Sequence, residues 1–337
     1  MMRTLQASPG TSRRKRPRSG ASRAPDACAR TSTLRGTVRT VYLGTSEFAA
    51  VVLERLAAGP HRPGLVVTRP DRPRGRGRKL ASPPVAEAAR ALGIELAQPE
   101  TVNSEEARAR IAAADPQAVC VSAFGALIKE PLLSDYEMPN VHPSLLPRWR
   151  GAAPIERAIE AGDSQTGVSV MRLTAGLDEG PVYVQRSEPI GPADDYGSVA
   201  ERLARLGGEL LVETLDTRPT PRPQAAAGAT YAAKIEREER RLDPERSAGE
   251  LERKVRALNP HIGTYLELAT VERLGVRRAA ASAWAREAAP GELVREGDRL
   301  LLATGAGALE LLEVQPPGGR PMSAAAWLRG RHSQVHG

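Results

Sequence analysis

The chain has 337 residues, 41% hydrophobic and 26% charged, with a formal net charge of +8. That length supports about two domains, each able to bury a core, and with aromatics at 3% the cores must be mostly Leu, Val and Ala. No apolar run reaches the ~18–20 residues a membrane-spanning helix needs, and two distant cysteines, Cys28 and Cys120, exclude a disulfide framework and point to a reducing compartment.

Residues 1–38 hold nine basic side chains and one acid, Asp26, which accounts for the whole charge surplus and leaves the rest of the chain neutral. This stretch is Arg, Ser, Pro and Ala without apolar periodicity, so a disordered basic extension is expected. Its readings are an organellar presequence, a nucleic-acid-binding arm or a nonessential extension from an upstream start. Only five of the 48 basic residues are lysine, which favours a GC-rich genome and with it the last reading.

From residue 39 the pattern becomes β-turn-α. Val41–Leu43 is a short apolar strand, and Ser46 caps a helix whose apolar face includes Phe48, Val51, Val52 and Leu56. A strand at 64–68 follows, then a helix with proline at its start and Gly93 at its end. A further helix is expected over 105–114. Residues 118–125 form a continuous apolar strand of the kind covered on both faces, and 139–143 a short strand ended by proline. This alternation predicts an α/β, Rossmann-like open and mostly parallel sheet over 39–215, with ligands at the carboxyl ends of its strands. A long helix over 198–216 closes it. Pro, Gly and polar content mark 216–232 as a linker. A charged helical stretch, 236–258, and several short strands between Gly-containing turns then predict a small β-barrel over 233–331.

Two segments carry chemistry. "TRPDRPRGRGRKL" (68–80) packs five arginines and Lys79 against Asp71, and its prolines and glycines forbid a helix or an inner strand. Such a loop can displace counterions from nucleic-acid phosphates. "NVHPSLLPRWRG" (140–151) places Asn140 and His142 two apart, on one face of a strand. A carboxamide there can donate to a developing oxyanion and an imidazole can move a proton. Asp178, in the turn "TAGLDEGPV", is a candidate orienting carboxylate. The same residues also suit strand-end capping and turn formation, and spacing alone does not choose.

The segments "HPSLLPRWRG" and "GVSVMRLTAGLDEGPV" closely resemble the signature of the folate-dependent formyltransferases. The resemblance implies a triad of Asn140, His142 and Asp178 that moves a formyl group from 10-formyltetrahydrofolate to an amine, without a metal. It implies folate contacts at Ser144, Leu145, Leu146 and Pro147, and Phe124, Gly125, Leu127 and Ile128 as a further wall. "LGTSEFAA", the basic loop and the closing "GRPMSAAAWLRG" match the branch that formylates methionine on initiator tRNA. Arg72, Arg74, Arg76, Arg78 and Lys79 are then the expected tRNA contacts, with Arg76 central. The last domain, with 17 basic and 15 acidic side chains from 233 to 337, is expected to be an accessory tRNA binder. Its "NPHIGTY" departs from the "NPWPGAY"-like pattern of that branch. A monomer is expected in the bacterial cytoplasm, with the mitochondrial matrix as the alternative. A formyltransferase for a nucleotide-linked amino sugar, or a folate- or RNA-binding protein without turnover, would share parts of this pattern.

Overall fold

The computed structural model describes residues 36–74, 79–268, 271–283 and 288–330. The expectations for residues 1–35, for Arg76 and Arg78, and for Cys28 lie outside the described residues.

Seven strands form the first sheet: β1 (Thr40–Gly44), β2 (Pro63–Val67), β3 (Glu95–Ala97), β4 (Ala118–Ser122), β5 (Pro139–His142), β6 (Gln165–Arg172) and β7 (Val182–Pro189), in the order β7-β6-β5-β4-β1-β2-β3. The first five are parallel, and β6 and β7 add an antiparallel edge. β1 and β4 are buried at every residue, as their unbroken apolar runs require. On one face, Tyr42, Val66, Cys120 and Val141 pack under helices α1 (Glu47–Ala57), α2 (Pro84–Leu92) and the long Tyr196–Thr217 helix. On the other face, Val41, Leu65, Val119 and Val121 pack against Ile111 of α3 (Glu105–Ala113) and against Met138. Burial pushes the Cys120 thiol up to about 12, so it is an inert core residue.

Local sequence signals set the helix ends. The Ser46 and Ser104 hydroxyls accept from Ala49 N and Ala107 N. Gly93 closes α2 at φ +65°. The 118–125 run, in contrast, is strand only to Ser122. Ala123 and Gly125 take φ of +40° and +70°, which turns the chain out of the sheet and over its carboxyl end. The charged stretch 236–258 also breaks up. A 3-10 turn, Glu238–Arg240, precedes a helix that begins only at Ala248 and ends at Leu258. Pro244 disfavours helix at Asp243, and Ser247 with Glu250 forms a capping box that starts the helix afresh.

The C-terminal part is a curled antiparallel half-barrel. Its strands are β8 (Thr264–Leu268), β9 (Val271–Ser282), β10 (Leu293–Glu296), β11 (Arg299–Ala303) and β12 (Ala308–Gln315), in the order β8-β9-β12-β11-β10, with the short strand Met322–Ser323 pairing along β12. The longest, β9, is the one sequence reading missed. It is rich in Arg and Ala, and its pairing with β12 decides its form. The 248–258 helix joins this part to the first. Arg253 Nε donates to Glu160 O at 3.1 Å and Arg256 Nη1 to Asp194 O at 2.8 Å. His261 stacks on Tyr196, with centroids 3.4 Å apart, and its Nε2 lies 3.0 Å from Glu156 Oε1.

One buried imidazole fastens the start of the first sheet. His61 is fully buried. Its Nδ1 accepts from Val38 N at 2.9 Å, so its Nε2 carries the proton donated to Asp216 Oδ1 at 2.9 Å. His61→Leu orphans a buried N–H and a carboxylate at once. The unfolding free energy in urea is expected to fall by about 2–3 kcal/mol.

Candidate active site

The carboxyl ends of β4 and β5 open into a cleft of 490 Å³, beside the place where the strand order reverses around β1. Asn140, His142 and Asp178 all line it. Asn140 and His142 project from the same face of β5, as alternation requires. Both are buried, Asn140 at 8% exposure and His142 at 5%. Among the described residues no protein group hydrogen-bonds the Asn140 carboxamide, so its donors are free for something held in the cleft.

The tautomer of His142 follows from its contacts. Nε2 lies 2.9 Å from the carbonyl oxygen of Trp149, which can only accept, so Nε2 carries a proton. Nδ1 is the nitrogen left for proton exchange, and it lies 3.7 Å from Asp178 Oδ2. Asp178 Oδ2 in turn accepts from Gly151 N at 2.8 Å. The backbone bends sharply at all three supporting points: Trp149 has φ +62°, Gly151 φ +113° and Asp178 φ +50°. Gly151 is needed on two counts, because a Cβ there would also stand 2.7 Å from Ala232 O.

Opposite the triad, Phe124, Gly125, Leu127 and Ile128 form one wall. Phe124 and Ile128 are buried, whereas Leu127 is 67% exposed, as is a second leucine of the cleft lining, Leu177, at 62%. The wall is anchored from behind. Thr45 Oγ1 donates to Phe124 O, and Asn103 both donates to Leu127 O and accepts from Lys129 N. Two exposed leucines on a polar-floored cleft suit a flat ring system carrying polar edges.

The 144–147 turn sits elsewhere: Ser144, Leu145, Leu146 and Pro147 are not part of this lining. Their polar groups are spent inside the protein. Ser144 Oγ donates to Arg148 O, and Ser169 Oγ donates to Ser144 O. Leu146 is held by Ser169 and Gln185. The turn braces the end of β5 from the far side.

The basic stretch is a short antiparallel hairpin, Arg72–Arg74 with Lys79–Ala81, that stands off the main sheet. Its base is fixed by Asp71, which accepts from Gln98 and Ser82; these bonds lower its carboxyl pKa, with Gln98 first. Arg72 is 60% exposed and only 3.6 Å from a still more exposed Glu100, so the pairing is weak. Arg69 Nη1 lies 3.5 Å from Gly125 O, which joins the hairpin base to the cleft wall.

Sequence reading missed Gly151, Leu177 and the carbonyl of Trp149, although "RWRG" and "TAGLDEGPV" were both in view. The roles of Gly151 and of the Trp149 carbonyl are backbone roles without a residue-type signature, and Leu177 becomes part of the cleft only through the turn that carries Asp178. Among the described residues no group of three or more His, Cys, Asp or Glu side chains could hold a metal, and no helix is long and apolar enough to cross a membrane.

Residues 38–215 match the family model described as formyl transferase, and residues 234–332 match the formyl transferase C-terminal domain. A methionyl-tRNA formyltransferase of Aromatoleum aromaticum is 42% identical over 300 residues, which cover 87% of this chain and 94% of that protein. One of Halorhodospira halophila is 44% identical, covering 87% and 96%. The fold is shared with a methionyl-tRNA formyltransferase from Clostridium thermocellum, solved as a structure, at a TM-score of 0.52 and 15% identity over 72% of this chain and 93% of that one.

Proposed function

The chain belongs to the formyltransferase family, and from that premise we propose that it transfers the formyl group of 10-formyltetrahydrofolate to the α-amine of methionine esterified to initiator tRNA. The observation that carries the chemistry is the convergence of a free carboxamide, an imidazole with an uncommitted Nδ1 and a carboxylate on one cleft.

Each residue then has one task. His142 Nδ1 takes a proton from the attacking amine, while Nε2 stays committed to Trp149. The new N–C bond raises a negative charge on the formyl oxygen, and Asn140 donates to it. Asp178 faces the proton on Nδ1 and stabilises the transient imidazolium. His142 then returns that proton to N10 of the folate as the old C–N bond breaks. No covalent bond to the enzyme forms. The apolar wall at Phe124, Gly125, Leu127 and Ile128 takes the pterin, and Ser144–Pro147 support the folate site by holding β5 in place.

The hairpin cations Arg72, Arg74, Arg76, Arg78 and Lys79 contact the acceptor end of the tRNA, with the half-barrel as a second tRNA surface. The enzyme works as a monomer in the bacterial cytoplasm. Replacing Arg72, Arg76 and Arg78 together with alanine is expected to lower kcat/KM for the tRNA about 30-fold and to flatten its dependence on salt, with KM for the folate unchanged. The deciding assay offers 10-formyltetrahydrofolate with methionyl initiator tRNA, methionyl elongator tRNA, free methionine and a nucleotide-linked amino sugar. Transfer to the initiator alone supports the reading, and transfer to the sugar alone overturns it.

A further inference from the structure

Residues 218–232 look like a spacer by composition, yet they touch both sides of the reacting centre. Gln224 makes four hydrogen bonds. Its Nε2 donates to Asp178 O and to Gly180 O, each at 2.8 Å. Its Oε1 accepts from Arg150 Nε at 3.1 Å and Nη2 at 2.9 Å. Arg150 is itself buried, and its third contact is Glu179 Oε1 at 3.1 Å. Two residues upstream, Arg222 exchanges both backbone hydrogen bonds with Val182 at 2.8 Å. Downstream, Thr230 Oγ1 accepts from Trp149 N at 2.9 Å and Thr230 O accepts from Arg150 N at 2.9 Å. Trp149 is the residue whose carbonyl fixes His142.

These contacts have a common logic. Asp178 must keep an unfavourable φ of +50° to aim its carboxylate at Nδ1 of His142. The backbone at that bend and two residues beyond it is what Gln224 grips. A glutamine suits the task because it offers two donors to two carbonyls and an acceptor to the guanidinium, which leaves none of its polar valences unmet.

We infer that Gln224, on the segment between the two parts of the chain, is a positioning residue that holds Asp178 in register with His142. The activity arm of the test rests on the functional reading above. Gln224 touches no reacting atom, so its effect must pass through Asp178, and a double-mutant cycle reads that coupling. Gln224→Ala is expected to lower kcat for methionyl-tRNA roughly 10- to 100-fold, but less than threefold when introduced into Asp178→Asn. A residue that only fastened the segment would cost the same factor in both backgrounds, and that result overturns the inference. Gln224→Glu is nearly isosteric, keeps the partner for Arg150 and removes both donors. It is expected to reproduce the loss, and it decides the matter if the alanine variant does not fold.

A second readout needs no substrate. Hydrogen exchange at the Gly151 amide, which the Asp178 carboxylate protects, is expected to quicken about tenfold in either variant while exchange in β1 and β4 stays as in the parent. Unchanged exchange at Gly151 overturns the inference even if the parent protein formylates no tRNA, an outcome that would sink the functional reading alone.

Discussion

His142→Ala is expected to lower kcat for formyl transfer by about 10³-fold, the range for loss of a well-placed general base and acid. The size follows from how fully the imidazole is committed. Nε2 is locked to the Trp149 carbonyl and Nδ1 faces Asp178, so no rotation of the ring and no neighbouring side chain can substitute. Burial at 5% exposure also keeps bulk water from taking over as the proton acceptor. Because the hairpin and the half-barrel lie apart from this position, the dissociation constant for methionyl-tRNA should stay within about threefold, measured by filter binding. Added imidazole at tens of millimolar should restore part of the lost rate. A kcat within tenfold of the parent would mean that proton transfer runs through another group.

Asn140→Ala is expected to cost about 10²–10³ in kcat, the usual range for one oxyanion donor. Its carboxamide makes no protein hydrogen bond among the described residues and is not among their buried polar atoms left without a partner, so it opens to the cleft and its removal breaks no contact of the fold. The alanine variant should therefore be no less stable than the parent, a result that separates it from a structural asparagine. Asn140→Asp is nearly the same size but faces the developing charge with another negative one, and should be slower than the alanine variant. Stopped-flow folate binding should change little in either. A lowered melting temperature together with an unchanged kcat would assign the carboxamide to the fold and not to the transition state.

The parallel sheet was legible because its strands are fully buried and therefore continuously apolar, and because Ser46, Ser104 and Gly93 write the helix ends in local chemistry. The half-barrel was partly legible. β11 and β12 show as leucine-rich runs, whereas β9 is a ladder partner whose form depends on residues 26–40 positions away. The pairing of Asn140 with His142 follows from strand alternation alone. Their meeting with Asp178 does not, since it depends on a loop held at positive φ by Gly151 and by residues beyond position 220. Gln224 sits in "RPQAAAG", where nothing in residue type or spacing distinguishes it from a spacer.

The strap formed by Arg222, Gln224 and Thr230 also bears on modularity. The family model for the first part stops at residue 215 and that for the second starts at 234, so the intervening stretch belongs to neither by sequence. By hydrogen bonds it belongs to the first. A chimera joined at 215 inherits Asn140, His142 and Asp178 without the strap that grips Asp178, whereas one joined after Ala232 inherits both. Recombination between relatives that exchange their C-terminal parts is therefore constrained to crossovers on the far side of that residue, and the seam between the two parts lies at the end of the 216–232 stretch and not at its start.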